Sequence, residues 1–363
     1  KKYVEDGELP DSILQQALLS FKPHGLFNEH YRSRHESLIA YSNKQFYKNK
    51  LHVFPSPMKS SEGSSISELG LSYEYLKDAI YEGGGTNSVE ADIVVERIIE
   101  HMHNFADDSL IAVAMSKTQA ELIEQKYKER INTEDLVACR DFEEKWKSKD
   151  KLEPFEVKNL ENVQGDQRDA IIISTVYGRN PETNIVRQNF GPINGKFGHR
   201  RLNVLFTRAK KRNHIVSCLQ PNDIIANKKQ QEGLKVFSGI LEYAKTGKLE
   251  IGEPSGKPPD SPFEESVREI LESKGYAVEC QVGVANYFID LGVKHPNWPD
   301  GFLAGIECDG ATYHSAKSAR DRDFARQKVL EGLGWKIHRV WSTDWFNNPK
   351  KTTDIMINQL EEW

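Results

Sequence analysis

The chain has 363 residues with 38% hydrophobic and 28% charged positions, a composition of soluble globular domains and too long for one ordinary core, so two domains are expected. No apolar run reaches membrane-spanning length, and the opening KKYVEDGELPD has no signal-peptide pattern, so membrane spans are excluded and a cytoplasmic location is expected. The formal charge of −5 does not advertise nucleic-acid binding, but basic clusters at Arg200 to Arg212 and Lys317 to Lys328 make local phosphate contact feasible.

Four scattered cysteines, Cys139, Cys218, Cys280 and Cys308, form neither a CxxC zinc site nor a disulfide framework and read as reduced and structural. The first residue is Lys, not Met, and the chain is expected to be part of something larger.

In chain order, residues 11–20 read as a short helix, and Leu38, Ile39 and Phe46 recur at helical spacing behind Arg32 and Arg34. A Ser- and Gly-rich loop runs from Lys59 to Gly70. TNSVEADIVVERIIEHM predicts an amphipathic helix capped by Asn87 or Ser88, with Val89, Ile93, Ile98 and His101 inward. SLIAVAM is a buried-type strand, KTQAELIEQKYKERI a helix, IIIST a second apolar strand, and HRRLNVLFTRAKKRNHIVSCL a helix followed by a third strand. This alternation predicts an α/β domain with a mainly parallel sheet over residues 1–247.

Residues 248–262, rich in Pro, Gly and Ser, read as a linker. Over 263–363, PFEESVREILESKGY is a helix closed by Gly275, followed by strands AVECQVGV, YFIDLGV and FLAGIECDG. A basic helix, KSARDRDFARQKVLEGLGW, ends at Gly334, and WKIHRVWS is the last strand. Pairing of the second and third strands across the Pro296 to Gly301 turn would bring Asp290, Glu307 and Asp309 to one face. Three carboxylates there repel one another unless protonation or a hard cation removes the cost. The competing reading is the solvated face of an ordinary antiparallel sheet.

Three stretches, HYRSRHESLI, NVQGDQRDAIIIST and RRLNVLFTRAKK, resemble in order and spacing motifs IV, V and VI of superfamily 1 helicases. The resemblance covers roughly the first 220 residues and implies a second RecA-like motor domain. It places Arg32 and Arg208 at the ATP phosphates, Gln164 and Gly165 at the hinge between ATP and nucleic acid, and Ser174 or Thr175 near the bound strand. Gln167 stands where the family has an acidic residue, which puts an ATP or ribose contact there in question. A guanidinium suits the phosphate role because it spreads charge over a transferring phosphoryl group without titrating. No G-x-x-x-x-G-K-[ST] loop occurs, so ATP use is expected only in the full-length protein, with the first RecA-like domain upstream.

The last hundred or so residues resemble the PD-(D/E)XK nucleases, nearest to the very-short-patch-repair-like branch, a restriction-endonuclease-like α/β fold. By that resemblance Asp290 and Glu307 hold the catalytic Mg2+ (or Mn2+), and Glu264 adds a carboxylate or orients water at the metal, with Glu265 the second choice. Asp309 falls where the superfamily has Lys, so either His314 takes over as general acid or base or the site is weakened. Gln281 reads as an exposed polar position, although contact with water or phosphate is open. Lys317, Arg320 and Arg326, with Arg322 beside them, could track a phosphate backbone; Asp321 and Asp323 among them favour ion pairing within the helix.

The reading that follows is the C-terminal part of a helicase and nuclease fusion: a Mg2+-dependent DNA endonuclease coupled to an ATP-driven motor, in defence against foreign DNA or in repair. The alternative is a nuclease-like domain without cleavage that docks DNA for the helicase; an interaction module without nucleic acid is the third.

Overall fold

The structure is a computed structural model that describes residues 17, 21, 28–58, 66–148, 153–226, 232–249, 258–284, 287–310 and 317–363, the side chains of 299, 300 and 317–323 excepted. The expected helix over 11–20 apart from residue 17, most of the 59–70 loop, residues 250–257 and His314 lie outside the described residues.

The first unit alternates strands and helices as β1 (Glu29–His30), α1 (Ala40–Tyr47), β2 (His52–Val53), β3 (Gly70–Tyr75), α2 (Ser88–Asn104), β4 (Leu110–Ala114), α3 (Lys117–Thr133), α4 (Val137–Lys147), β5 (Glu156–Asn159), β6 (Arg168–Ser174), α5 (Gly198–Phe206), β7 (Ala209–Ser217) and α6 (Glu232–Thr246). Strands β3-β7-β6-β4-β5 form one parallel sheet in that order. β4, buried at every position, and β6 are interior strands, as apolar runs covered on both faces must be. Ile111, Val113, Ile171 and Ile173 pack on one side with Leu202 and Phe237; Ala112, Ala114 and Ile172 pack on the other with Val94, Ile98 and Phe142.

Asn87 is the cap of α2, its side chain accepting the Glu90 amide at 3.0 Å. The inward stripe is Ala91, Val94, Val95, Ile98 and Met102, joined by His101. Val89, expected inward, is 50% exposed, because it lies half a helical turn away from the face of Ile98. The strand LSYEY and helices α4 and α6 are additional to the elements expected from periodicity. Among the described residues no helix is long and apolar enough to cross a membrane, and the four cysteines are free thiols.

The second unit comprises α7 (Pro262–Ser273), β8 (Val278–Val284), β9 (Tyr287–His295), β10 (Trp298–Asp309), α8 (Lys317–Gly332), β11 (Ile337–Trp341), α9 (Ser342–Asn347) and α10 (Pro349–Glu362). The sheet order is β11-β10-β9-β8, antiparallel except for the parallel β10–β11 pair that α8 connects. Phe263, Val267, Leu271, Trp345, Met356 and Leu360 close a core with Leu291, Val293 and Ile306. Trp335 and Trp345 are buried and cover the sheet; Trp341 is 39% exposed.

The two units meet through the segment that follows β2. Phe54 is buried with Val282, Ile289, Phe302, Leu330 and Trp335, and its ring lies 5.0 Å from that of Tyr287. The Pro55 and Pro57 carbonyls accept from Trp335 Nε1 and the Phe302 amide, each at 2.9 Å, and Met58 bridges Gly301. Proline has no N–H to leave unpaired, so this strip offers only acceptors to the second sheet. Phe54→Ala would empty a core position shared by both units, with an expected loss of about 3–5 kcal/mol, measurable by denaturant unfolding. An unchanged midpoint would show that the second unit does not depend on this contact.

Candidate functional site

The β9–β10 hairpin forms as expected, with Ile306 opposite Leu291 as the last pair before the strands part. One residue further, the Asp290 carboxylate accepts the Cys308 amide at 2.7 Å in place of a ladder carbonyl. Glu307 pairs in register with Arg339 on β11, while Cys280–Leu291 and Val282–Ile289 bracket Gln281 and Asp290 on the other side. Gln281, Asp290, Glu307 and Arg339 therefore form one polar row across all four strands.

Burial, then the charges of Glu264 and Asp309, push the Asp290 carboxyl well above the usual carboxylate range, against the Cys308 hydrogen bond. Glu307 is pushed up by burial and by Asp290, with the Arg339 guanidinium opposing. Tyr287 donates its hydroxyl to Glu307 Oε1 at 3.3 Å, and the Arg326 guanidinium lies 5.9 Å from the Tyr287 ring centroid. Two half-buried acids that resist joint ionisation are a fitting donor set for a hard cation, which needs only one or two carboxylates when water and phosphate complete its shell. Among the described residues no group of three His, Cys, Asp or Glu side chains is assembled as a metal cage.

Glu264, buried, lies in the first turn of α7, where the Ser261 cap accepts its amide; its own oxygens accept from the Asp260 amide at 2.8 Å, Ser261 Oγ at 2.9 Å and Gln281 Nε2 at 2.9 Å. Those bonds hold its carboxylate in place, and its charge reaches Asp290. Gln281 is buried, not exposed, because φ of 52° takes its side chain out of strand alternation and onto Glu264. Asp309 faces Arg339 Nη1 across 3.3 Å. Glu265 pairs with Arg268, and Glu279 with Lys294, away from the row. His314 and the Lys317, Arg320 and Arg322 side chains lie outside the described residues. Arg339 was invisible to motif reasoning because only the β10–β11 register, set through a helical crossover, brings it to Glu307.

In the first unit, Arg32 is exposed, and Arg208, half-buried, is held below its ordinary value by burial and then by the charge of Arg32. Arg208 Nε is buried without a partner. Gln164 and Gly165 are exposed on a turn that the Gly165 φ of 97° permits, and Gln167 is half-buried beside Asp166, which pairs with Lys158. A cleft of about 550 Å³ opens between the units, lined by Tyr31, Arg32, Arg34, Lys210, Lys211 and Leu333. Arg34 donates across it to the Gly332 carbonyl.

Ser174 and Thr175 do not present their hydroxyls to a nucleic-acid strand. Ser174 donates to Glu90 Oε1 at 2.6 Å and Thr175 to Ser217 Oγ at 2.8 Å, and both are buried. Glu90 also accepts the Val176 amide at 2.7 Å, and burial pushes its carboxyl up to about 7 despite these bonds.

The raised acids set a sign for stability. A carboxyl that keeps its proton in the folded chain but loses it when unfolded near pH 4 makes folding less favourable as pH rises from there through the folded value. Without divalent cations near pH 8, Asp290→Asn and Glu307→Gln should each raise Tm, and Mg2+ should raise the Tm of the unsubstituted chain more than theirs. Thermal unfolding with and without EDTA reads both; lower Tm in both variants would deny the repulsion.

Residues 263–360 match REase_MTES_1575, and residues 9–220 match AAA_12, an AAA domain. Two curated relatives are each 26% identical over 365 residues: the uncharacterized ATP-dependent helicase MG140 of Mycoplasma genitalium and its homolog in Mycoplasma pneumoniae. The match takes 95% of this chain and 31% of either relative, so the chain spans about a third of their length. The HK97 bacteriophage large terminase is similar at 10% identity and a TM-score of 0.29, over 75% of this chain and 66% of that one, too low to carry an argument. The fold is α/β with a five-stranded parallel sheet and a smaller mixed sheet, and the chain belongs to the AAA_12 family, with a further match to REase_MTES_1575 over residues 263–360.

Proposed function

We propose that the unit over residues 263–363 is a divalent-metal-dependent DNA endonuclease, joined through 248–262 to the second motor domain of an ATP-driven helicase over residues 1–247. The observation that carries this reading is the half-buried Asp290 and Glu307 pair, on neighbouring strand positions within the REase_MTES_1575 match. Those two residues would hold Mg2+ or Mn2+. When bound, the cation polarises the scissile phosphate and stabilises the leaving oxyanion. Glu264, fixed by Gln281 and the α7 cap, orients the attacking water, and His314 is the candidate proton carrier. Arg326 on α8, with Lys317 and Arg320 from the same helix, binds the DNA backbone.

In the full-length protein, Arg32 and Arg208 meet the ATP phosphates, with Gln164, Gly165 and Gln167 near the nucleotide, across an interface with an upstream first RecA-like domain. The charge of Arg32 reaches Arg208, whose Nε is buried without a hydrogen-bond partner, and that concentration of positive charge supports this role. ATP hydrolysis by this chain alone is not expected.

Plasmid DNA incubated with the chain should be nicked in Mg2+ or Mn2+ and spared in EDTA. Asp290→Ala and Glu307→Ala should each slow nicking by on the order of a hundredfold or more, the scale of several kcal/mol of transition-state stabilisation. Nicking that survives both substitutions would reject the site. The capture of Asp309 by Arg339 favours a second reading, a docking module without cleavage, which predicts salt-sensitive DNA binding with no nicking in either metal.

A further inference from the structure

Arg339 stands in the polar row as the neighbour of Glu307, paired with it in register on the parallel strand. Its Nη1 is 3.3 Å from Asp309 Oδ2, its side chain is 25% exposed, and its Nε is buried with no hydrogen-bond partner. A guanidinium carries five donors in a planar fork, a shape that takes two oxygens of one phosphate at once. A phosphodiester approaching Asp290 and Glu307 meets carboxylates of its own sign, with Asp309 adding a third on the same strand. Arg339 is the group of opposite sign within that row.

We propose that Arg339 is a substrate-binding residue of this site. When no DNA is bound, Asp309 holds the guanidinium; when a strand arrives, Arg339 exchanges Asp309 for the non-bridging oxygens of the phosphate presented to Asp290 and Glu307. Asp309 is then a placeholder for phosphate and not a metal ligand. The exchange is favourable because a partly exposed ion pair is weakly held, whereas a fork on a phosphate makes two charge-assisted bonds. Lysine, a point charge, would keep the attraction and lose the fork. This inference rests on the nuclease reading of Asp290 and Glu307.

The test is DNA affinity of the full chain in EDTA across a salt series, beside the Mg2+-dependent Tm shift. Arg339→Gln should weaken duplex binding about tenfold and flatten the slope of log K against log salt by about 0.9, the loss of one phosphate contact. It should keep the Mg2+ shift. Arg339→Lys should keep the slope but weaken binding by less. Asp309→Asn should tighten binding a few-fold and also keep the Mg2+ shift. An unchanged slope in Arg339→Gln, loss of its Mg2+ shift, loss of the Mg2+ shift in Asp309→Asn, or no DNA binding by the unsubstituted chain would each overturn the assignment. Absence of nicking by the unsubstituted chain would defeat the nuclease reading instead, and the salt slope would still decide Arg339.

Discussion

Two half-buried carboxylates, Asp290 and Glu307, sit on neighbouring strands where β9 and β10 part, and neither can ionise freely while the other is charged. Much of the second unit is arranged about that constraint. The hairpin ladder stops at Leu291 and Ile306, and Asp290 takes up the Cys308 amide that pairing would otherwise satisfy. Gln281 adopts a left-handed backbone to reach Glu264, whose carboxylate is held by the cap of α7. Arg339 comes in from β11 on the far side. Orphaned charge is compensated from both edges of the sheet, and the centre keeps a repulsion that packing alone would not retain.

The same sheet is bound to the parallel-sheet unit by a short run of acceptors. Phe54 fills a core built otherwise from β8, β9, β10 and α8, while Pro55 and Pro57 give their carbonyls to Trp335 and Phe302. This run follows β2, downstream of the segment that carries Arg32 and Arg34, so the cleft arginines and the anchor of the four-stranded sheet share one stretch of chain. Helix α8 spans the same distance from the other unit: Arg326 lies over Tyr287 near Glu307, and Gly332 at its end accepts from Arg34.

Elements whose burial follows directly from composition were legible in the chain. SLIAVAM and IIIST are apolar runs that only interior parallel strands accommodate, and Gly275, with φ of 91°, ends α7 where the sequence placed a stop. The hairpin was legible because its alternation and turn agree. LSYEY was not, since an edge strand with half its residues polar reads like the loop before it. Val89 misled because apolar character alone does not fix which side of a helix is inward. At the site, Asp290 and Glu307 were visible as acids inside apolar strands. Gln281 was hidden by a backbone angle that glutamine seldom adopts, and Arg339 by a register that forms only after α8 crosses over. Ser174 and Thr175 looked available because the fully buried Glu90 that takes up Ser174 lies in a different motif, on α2.

Calorimetric titration with Mn2+ tests the central claim most directly. The account predicts one site per chain, lost in Asp290→Asn and in Glu307→Gln and retained in Arg339→Gln. Equal Mn2+ binding by the unsubstituted chain and both carboxylate variants, or none by the unsubstituted chain, would contradict it.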